Sequence, residues 1–196
     1  MFCDVNKESL AALEQRVSSF DFQTQPKFIC GDANQSVDKI FEKMPSHSNG
    51  RKVLAFCFVD PFRLKNLHFS TIAKLSKKFM DFLVLIPTHM DAKRNVSYYV
   101  SPNNLTIDNF TGNPEWRGCW EKVKNEQNFD IFLTNLFGQS MENLGYLYTG
   151  IQDTQLIRSS EKNLALYRLV FFSRNKLGKK FWKDIKRICN PQQNLF

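Results

Sequence analysis

The chain has 196 residues, 42% of them apolar, with 19 Phe among its aromatics and a net charge of +8. This is enough apolar side chain for one sizeable core and too much for a disordered chain, while the charge permits a polyanionic partner without requiring one. No apolar stretch reaches the roughly 20 residues of a bilayer crossing, and the start MFCDVNKESLAALEQ lacks a basic flank followed by an apolar core, so neither a membrane span nor a secretory leader is expected.

The first apolar stub, Phe2-Cys3, ends at Asp4. Leu10, Leu13 and Val17 then recur at one-sided spacing, which predicts a helix over 7–18 with Asn6 as its N-cap. Lys27–Cys30 reads as a short strand ending in Gly31-Asp32, and Val37, Ile40, Phe41 and Met44 predict a second helix, stopped by Pro45 and the polar stretch Ser46–Gly50. Val53–Val59 is seven apolar residues in a row, ending in Asp60-Pro61. It reads as a central strand covered on both faces. A helix with Ile72, Leu75 and Phe79 follows, then the strand Phe82–Ile86, stopped by Pro87. This alternation predicts βαβ units and a parallel sheet over 2–87.

The rhythm breaks after residue 88. A polar stretch over 90–114 precedes a helical segment over 116–144, so 88–145 reads as a largely helical insert. Tyr146–Ile157 and Leu164–Ser173 predict an antiparallel hairpin joined by Arg158–Asn163. A final helix carries Leu177, Phe181, Ile185 and Ile188 on one face, expected to pack on the sheet. The whole, 1–196, reads as one domain, with the hairpin and last helix filling 146–189.

Five Cys stand singly at Cys3, Cys30, Cys57, Cys119 and Cys189, with no C-x-x-C spacing, which fits reduced thiols and a cytoplasmic location. Cys3, Cys30 and Cys57 lie in predicted strands and are expected as small buried hydrophobes. His47, His68 and His89 have no Cys or His partner at metal spacing, so no metal site is expected.

Ligands in a parallel α/β sheet bind at the carboxyl ends of the strands. Asp4, Asp32 and Asp60 each end a predicted strand and stand 28 residues apart, about one βαβ repeat. Each alone reads as a turn or helix cap. Three at successive strand ends point to a site. A carboxylate so placed accepts the hydroxyls of a ribose or the exocyclic amine of an adenine; three carboxylates are also a candidate Mg²⁺ set, but its usual companions are missing.

The order FCDVN, GDAN, VDPF, the Arg94-Asn95 pair, GYLY and LYRLVFFSRNKLGKKFW resembles the three-Cys-motif partner protein family, related to class I S-adenosylmethionine-dependent methyltransferases. The resemblance implies a Rossmann-like, mostly parallel sheet with a C-terminal antiparallel hairpin. It places Asp4 at the ribose of S-adenosylmethionine, Asp32 and Ala33 at the adenine, and Asp60, Pro61 and Phe62 at the reacting end. It implies a nucleic acid as methyl acceptor and a three-Cys-motif, radical-SAM-like protein as partner. Arg63 stands where the family usually has Gly. The family's first strand and its Gly-rich turn have no counterpart before Asp4, so the sheet is expected to be N-terminally incomplete. The strand before Asp4 would then face Val53–Val59 across an open slot of about 9–10 Å, or pair with it directly. An incomplete fold also leaves a second reading, a non-catalytic binding partner that keeps the methyltransferase fold.

Residues 174–187 set seven basic residues against one acid. Lys179, Lys180, Lys183 and Arg187 are candidates for phosphate contacts, weighed against a plainly solvated helix face and, third, a membrane-surface helix. Trp116 and Trp120 read first as core residues and second as platforms for bases.

Overall fold

The computed structural model describes residues 1–20, 25–46 and 52–189. The stretch 47–50 predicted to stop the second helix, and His47 within it, lie outside the described residues. The elements in chain order are β1 (Phe2–Asp4), α1 (Lys7–Ser18), β2 (Phe28–Cys30), α2 (Val37–Lys43), β3 (Ala55–Val59), α3 (Phe69–Leu75), β4 (Met80–Ile86), α4 (Val96–Val100), α5 (Thr106–Thr111), α6 (Trp116–Val123), α7 (Phe129–Asn143), β5 (Thr154–Arg158), β6 (Ala165–Phe172) and α8 (Lys176–Cys189). Asn6 caps α1 as predicted, its side chain accepting the Ser9 N–H at 2.9 Å. No helix among the described residues is long and apolar enough to cross a membrane.

The strands form two sheets. β1 and β2 pair in parallel, and a four-stranded sheet has the order β3-β4-β6-β5. β3 and β4 are parallel, whereas β6 is antiparallel to both β4 and β5. The architecture is α/β, but the larger sheet is mixed, with parallel pairing confined to β1–β2 and β3–β4. β1 does not pair with β3, so the direct pairing expected as one outcome does not occur.

β4 has the alternation of a strand with one face sunk in the core: Met80, Phe82, Val84 and Ile86 are buried and the residues between them half-buried. The buried face joins one apolar cluster with Ile72 of α3, Ile107 and Phe110 of α5, Trp116 and Trp120 of α6 and Leu133 and Phe137 of α7. The stretch that breaks the polar-apolar rhythm therefore supplies much of the core, and the two Trp are core residues. Gly138 lets the Tyr148 ring lie against α7, where a Cβ would clash with it. The Tyr148 hydroxyl donates to Asn135 Oδ1 at 2.9 Å.

Three expectations are corrected. β3 is an edge strand, not a central one. Ala55, Cys57 and Val59 pack on the core, but Phe56 and Phe58 are 62% and 53% exposed. A run apolar at every position looks covered on both faces, yet only one of its faces is. Cys30 is exposed, and Cys3 and Cys57 are only half-buried. The apolar stripe of α8 does not pack on the sheet: Leu177, Phe181, Ile185 and Ile188 are all exposed, Ile188 at 74%. The helix docks along the seam between its apolar and basic arcs. Gly178 allows the close approach, since a Cβ there would lie 2.5 Å from Ser173 Oγ. Trp182 packs on Phe171 at 5.9 Å and donates to the Asp153 carbonyl at 2.6 Å.

Burial sets the expected cost of truncation. Phe82 is fully buried, so Phe82→Ala should lose about 3–5 kcal/mol in urea unfolding. Phe58→Ala on the open face should lose less than about 1 kcal/mol. Equal losses would show that the open face of β3 is covered in solution.

Candidate functional site

A cleft of about 550 Å³ lies between the two sheets. Its lining includes Asp4, Asp32, Ala33, Asp60, Pro61 and Phe62, every residue predicted for the cofactor and the reacting end. A hollow of about 610 Å³ on the outer side of α1 is lined by surface side chains such as Glu8 and Gln15, and brings no such group together.

The walls are built by strand endings. Asp4 closes β1, its carbonyl accepting the Gly31 N–H at 2.9 Å, while its Oδ1 accepts the Asn6 N–H at 2.7 Å. Asp32 follows β2, and its Oδ1 accepts the Asn34 N–H at 2.9 Å. These are Asx turns, and each uses one carboxylate oxygen, with no hydrogen bond to the other among the described residues. Asp60 follows β3, is exposed, and makes no side-chain hydrogen bond or ion pair among the described residues. Pro61 is buried and holds the turn, and Phe62 stands 75% exposed at the lip.

Two side chains that sequence reasoning missed hold this arrangement. Asn34 sits in the GDAN turn after β2. Its Oδ1 accepts the His68 N–H at 2.9 Å and the Thr71 hydroxyl at 2.8 Å, and its Nδ2 donates to the Asn66 carbonyl at 3.1 Å. It thus ties the β1–β2 unit to the segment after β3. Asp91 is buried in the helical turn Thr88–Ala92 after β4. Its Oδ2 accepts the Leu64 N–H at 2.8 Å, and its Oδ1 accepts the Tyr99 hydroxyl at 2.6 Å and Asn95 Nδ2 at 3.0 Å. That fixes the far end of the Asp60–Leu64 turn. Burial, then the hydrogen bond to Asp91, push the Tyr99 phenol up, so it stays a donor. The signal for Asp91 was the Asn95 that follows it by one helical turn; Asn34 carried none beyond its place in GDAN.

The cleft thiols are poor nucleophiles. Burial raises Cys57 to about 11 and also raises Cys3, so both stay protonated near neutrality. No group of three or more His, Cys, Asp or Glu among the described residues is arranged to hold a metal ion.

The basic residues proposed on α8 are not equivalent. Lys179 is engaged by the Asp153 carboxylate and half-buried, while Lys180, Lys183 and Arg187 are exposed. Arg187 lies 3.6 Å from Asp184. Comparison of the chain with protein-family models, curated proteins and solved structures finds no match.

Asn34→Ala should cost about 2–3 kcal/mol in urea unfolding, because the His68 N–H loses its acceptor, and hydrogen exchange should quicken at 66–71. A loss below about 0.5 kcal/mol would show that the tie is dispensable. Burial works to raise the pKa of Asp153, but hydrogen bonds from Lys179 and Thr149 outweigh it and hold the carboxyl below its usual range. Its stabilisation of α8 is therefore present above about pH 4 and lost as pH falls through the depressed value. Trp182 fluorescence should report α8 loosening in that acid range, and Asp153→Asn should remove this step.

Proposed function

We propose that the cleft takes the nucleoside half of S-adenosylmethionine and that the chain is a methyltransferase-like protein of the three-Cys-motif partner type, with a nucleic acid as its acceptor. The observation that carries this reading is the convergence of Asp4, Asp32 and Asp60 on one cleft from the ends of β1, β2 and β3. The donor set suits a nucleoside. Asp4 retains a carboxylate oxygen for ribose hydroxyls, and Asp32 with Ala33 borders the same space for an adenine edge.

A bound S-adenosylmethionine supplies an electrophilic methyl carbon. The chain's own part lies at Asp60-Pro61-Phe62. The unpaired Asp60 carboxylate is free to accept a hydrogen bond from an amino group of the acceptor, which orients the nitrogen lone pair. Pro61 fixes the turn, and exposed Phe62 offers a flat face for the acceptor base. The methionine half is less well provided for. β1 and β3 belong to separate sheets, with no strand hydrogen-bonded between them. That observation favours the second reading, a non-catalytic protein that keeps the fold and acts through binding, as a partner to a three-Cys-motif protein.

Calorimetric titration of S-adenosylmethionine tests the reading. Binding is expected, and Asp4→Ala should weaken it by roughly 1–3 kcal/mol. Asp60→Ala should leave affinity nearly unchanged while abolishing methyl transfer. Absence of binding, or an affinity indifferent to Asp4, would overturn the cofactor assignment. Binding without transfer to any nucleic acid would leave the second reading standing.

A further inference from the structure

The carboxyl edge of the larger sheet carries more than Asp60. β6 runs against β4, and their register pairs Ile86 with Arg168, so the start of β6 lies beside the end of β4. β5 ends at Arg158 on the same side, opposite Ala165. His89 follows β4 in the turn Thr88–Ala92. The buried Asp130 at the start of α7 organises this edge: it accepts Arg168 Nη2 at 2.9 Å and Nε at 3.3 Å, with His89 Nε2 at 3.8 Å. One buried acid thus holds one arginine in place, and other cations at the carboxyl ends of these strands have no acid partner, though Arg158 Nη1 donates to the Asn163 carbonyl at 2.9 Å.

Those cations are Arg63, Lys93, Arg94 and Arg158. All four are exposed, and none forms an ion pair among the described residues. Arg63 belongs to the cleft's own turn and lies 5.6 Å over the Phe62 ring. Lys93 and Arg94 follow Asp91, whose Oδ2 holds the Leu64 N–H, so they are joined to that turn through one buried carboxylate. Two large rings stand exposed on the same segments: Phe62 at 75%, next to Arg63, and Tyr98 at 65%, in the helix that directly follows Lys93 and Arg94 and braced 5.4 Å from Tyr99. Leaving two aromatic rings exposed forgoes their burial energy, and a surface serving only solubility does not need them.

Basic groups interleaved with exposed rings match one chemistry, the alternating phosphates and bases of an unpaired strand. We propose that Phe62, Arg63, Lys93, Arg94, Tyr98 and Arg158 form a binding surface for single-stranded nucleic acid, beside the cleft. Arg63, Lys93, Arg94 and Arg158 meet phosphates, and Phe62 and Tyr98 stack on bases. The surface lies at the sheet edge, not on the basic arc of α8. It adds the acceptor's form to the function proposed above, and it stands on these side chains without the cofactor.

Fluorescence anisotropy with a short labelled oligouridylate and an oligothymidylate, titrated across a range of KCl concentrations, tests it. Binding should weaken steeply with salt. The double variant Lys93→Glu, Arg94→Glu should flatten the log–log salt slope by about 1.4, the share of two phosphates on a single strand. Phe62→Ala and Tyr98→Ala should each weaken binding by roughly five- to a hundredfold and leave the slope unchanged. A triple variant of the α8 arc, Lys180→Glu, Lys183→Glu, Arg187→Glu, serves as the contrast, with circular dichroism checking that every variant is folded. The proposal is overturned if neither oligonucleotide binds at low salt, if the α8 variant alone removes binding, or if duplex DNA binds equally well and the two aromatic variants have no effect. Oligonucleotide binding in a chain that does not bind S-adenosylmethionine would sustain the surface and sink the cofactor assignment, so the two failures are distinct.

Discussion

Backbone pairing stops at the edge of β3, and the amide of Asn34 takes over. β1 and β2 share no ladder with the larger sheet, so the relative position of the Asp4–Asp32 wall and the Asp60 wall is not set by strand register. It is set by three hydrogen bonds from one side chain to Asn66, His68 and Thr71, together with the packing of Val37, Ile40 and Phe41 of α2 on the common core. An amide suits this task because it accepts and donates at once. An Asp at this position would keep the two accepted bonds but lose the donation to the Asn66 carbonyl. The cleft is therefore held by side chains where a continuous sheet would use main chain.

The opposite wall is braced in a different way. Asp91 spends both carboxylate oxygens inward, on Leu64, Asn95 and Tyr99, and so serves as an internal clamp. Asp60, a few residues from its target, spends none. Two carboxylates tied to one turn thus divide the work of fixing it and of facing the solvent. The division follows from burial: the buried one has its oxygens taken up by donors, as a buried polar group must, and the exposed one stands in reach of solvent.

Much of the strand–helix order was legible from short-range signals. The Asn6 cap, the spacing of Leu10 and Val17, and the Pro87 stop act over a few residues, and the elements they mark stand where the pattern puts them. The three strand-end Asp residues were legible as a set because their spacing is itself local, one repeat at a time. What the pattern hid is long-range. The run over Val53–Val59 says that both faces are apolar but not that one lacks a cover. The stripe on α8 predicts a buried face, yet Gly178 and the acceptors at Gln152 and Asp153 turn the helix by favouring a different line of contact. Asp91 sits in a stretch whose polar character resembled a loop, and Asp130 in one that read only as helical; the fold alone shows both enclosed. The cations of the sheet edge come from three separate segments, so no window of sequence contains them together.

The position of β6 also constrains how the domain is assembled. β6 is the strand that joins β4 to β5, and its residues come 82 to 90 positions after those of β4 with which it pairs. A chain emerging in order can form α1, the β1–β2 pair and the β3–β4 pair early, since these contacts close short loops. The face of β4 that becomes the core has no companion strand on its second edge until residues 165–172 arrive. Closing so long a loop is slow, and it leaves the apolar strands β3 and β4 in water meanwhile. Synthesis of this domain thus passes through a stage in which the apolar β3–β4 pair is complete and the strand that covers its β4 edge is not, which makes the interval between residue 86 and residue 172 one in which a chaperone matters.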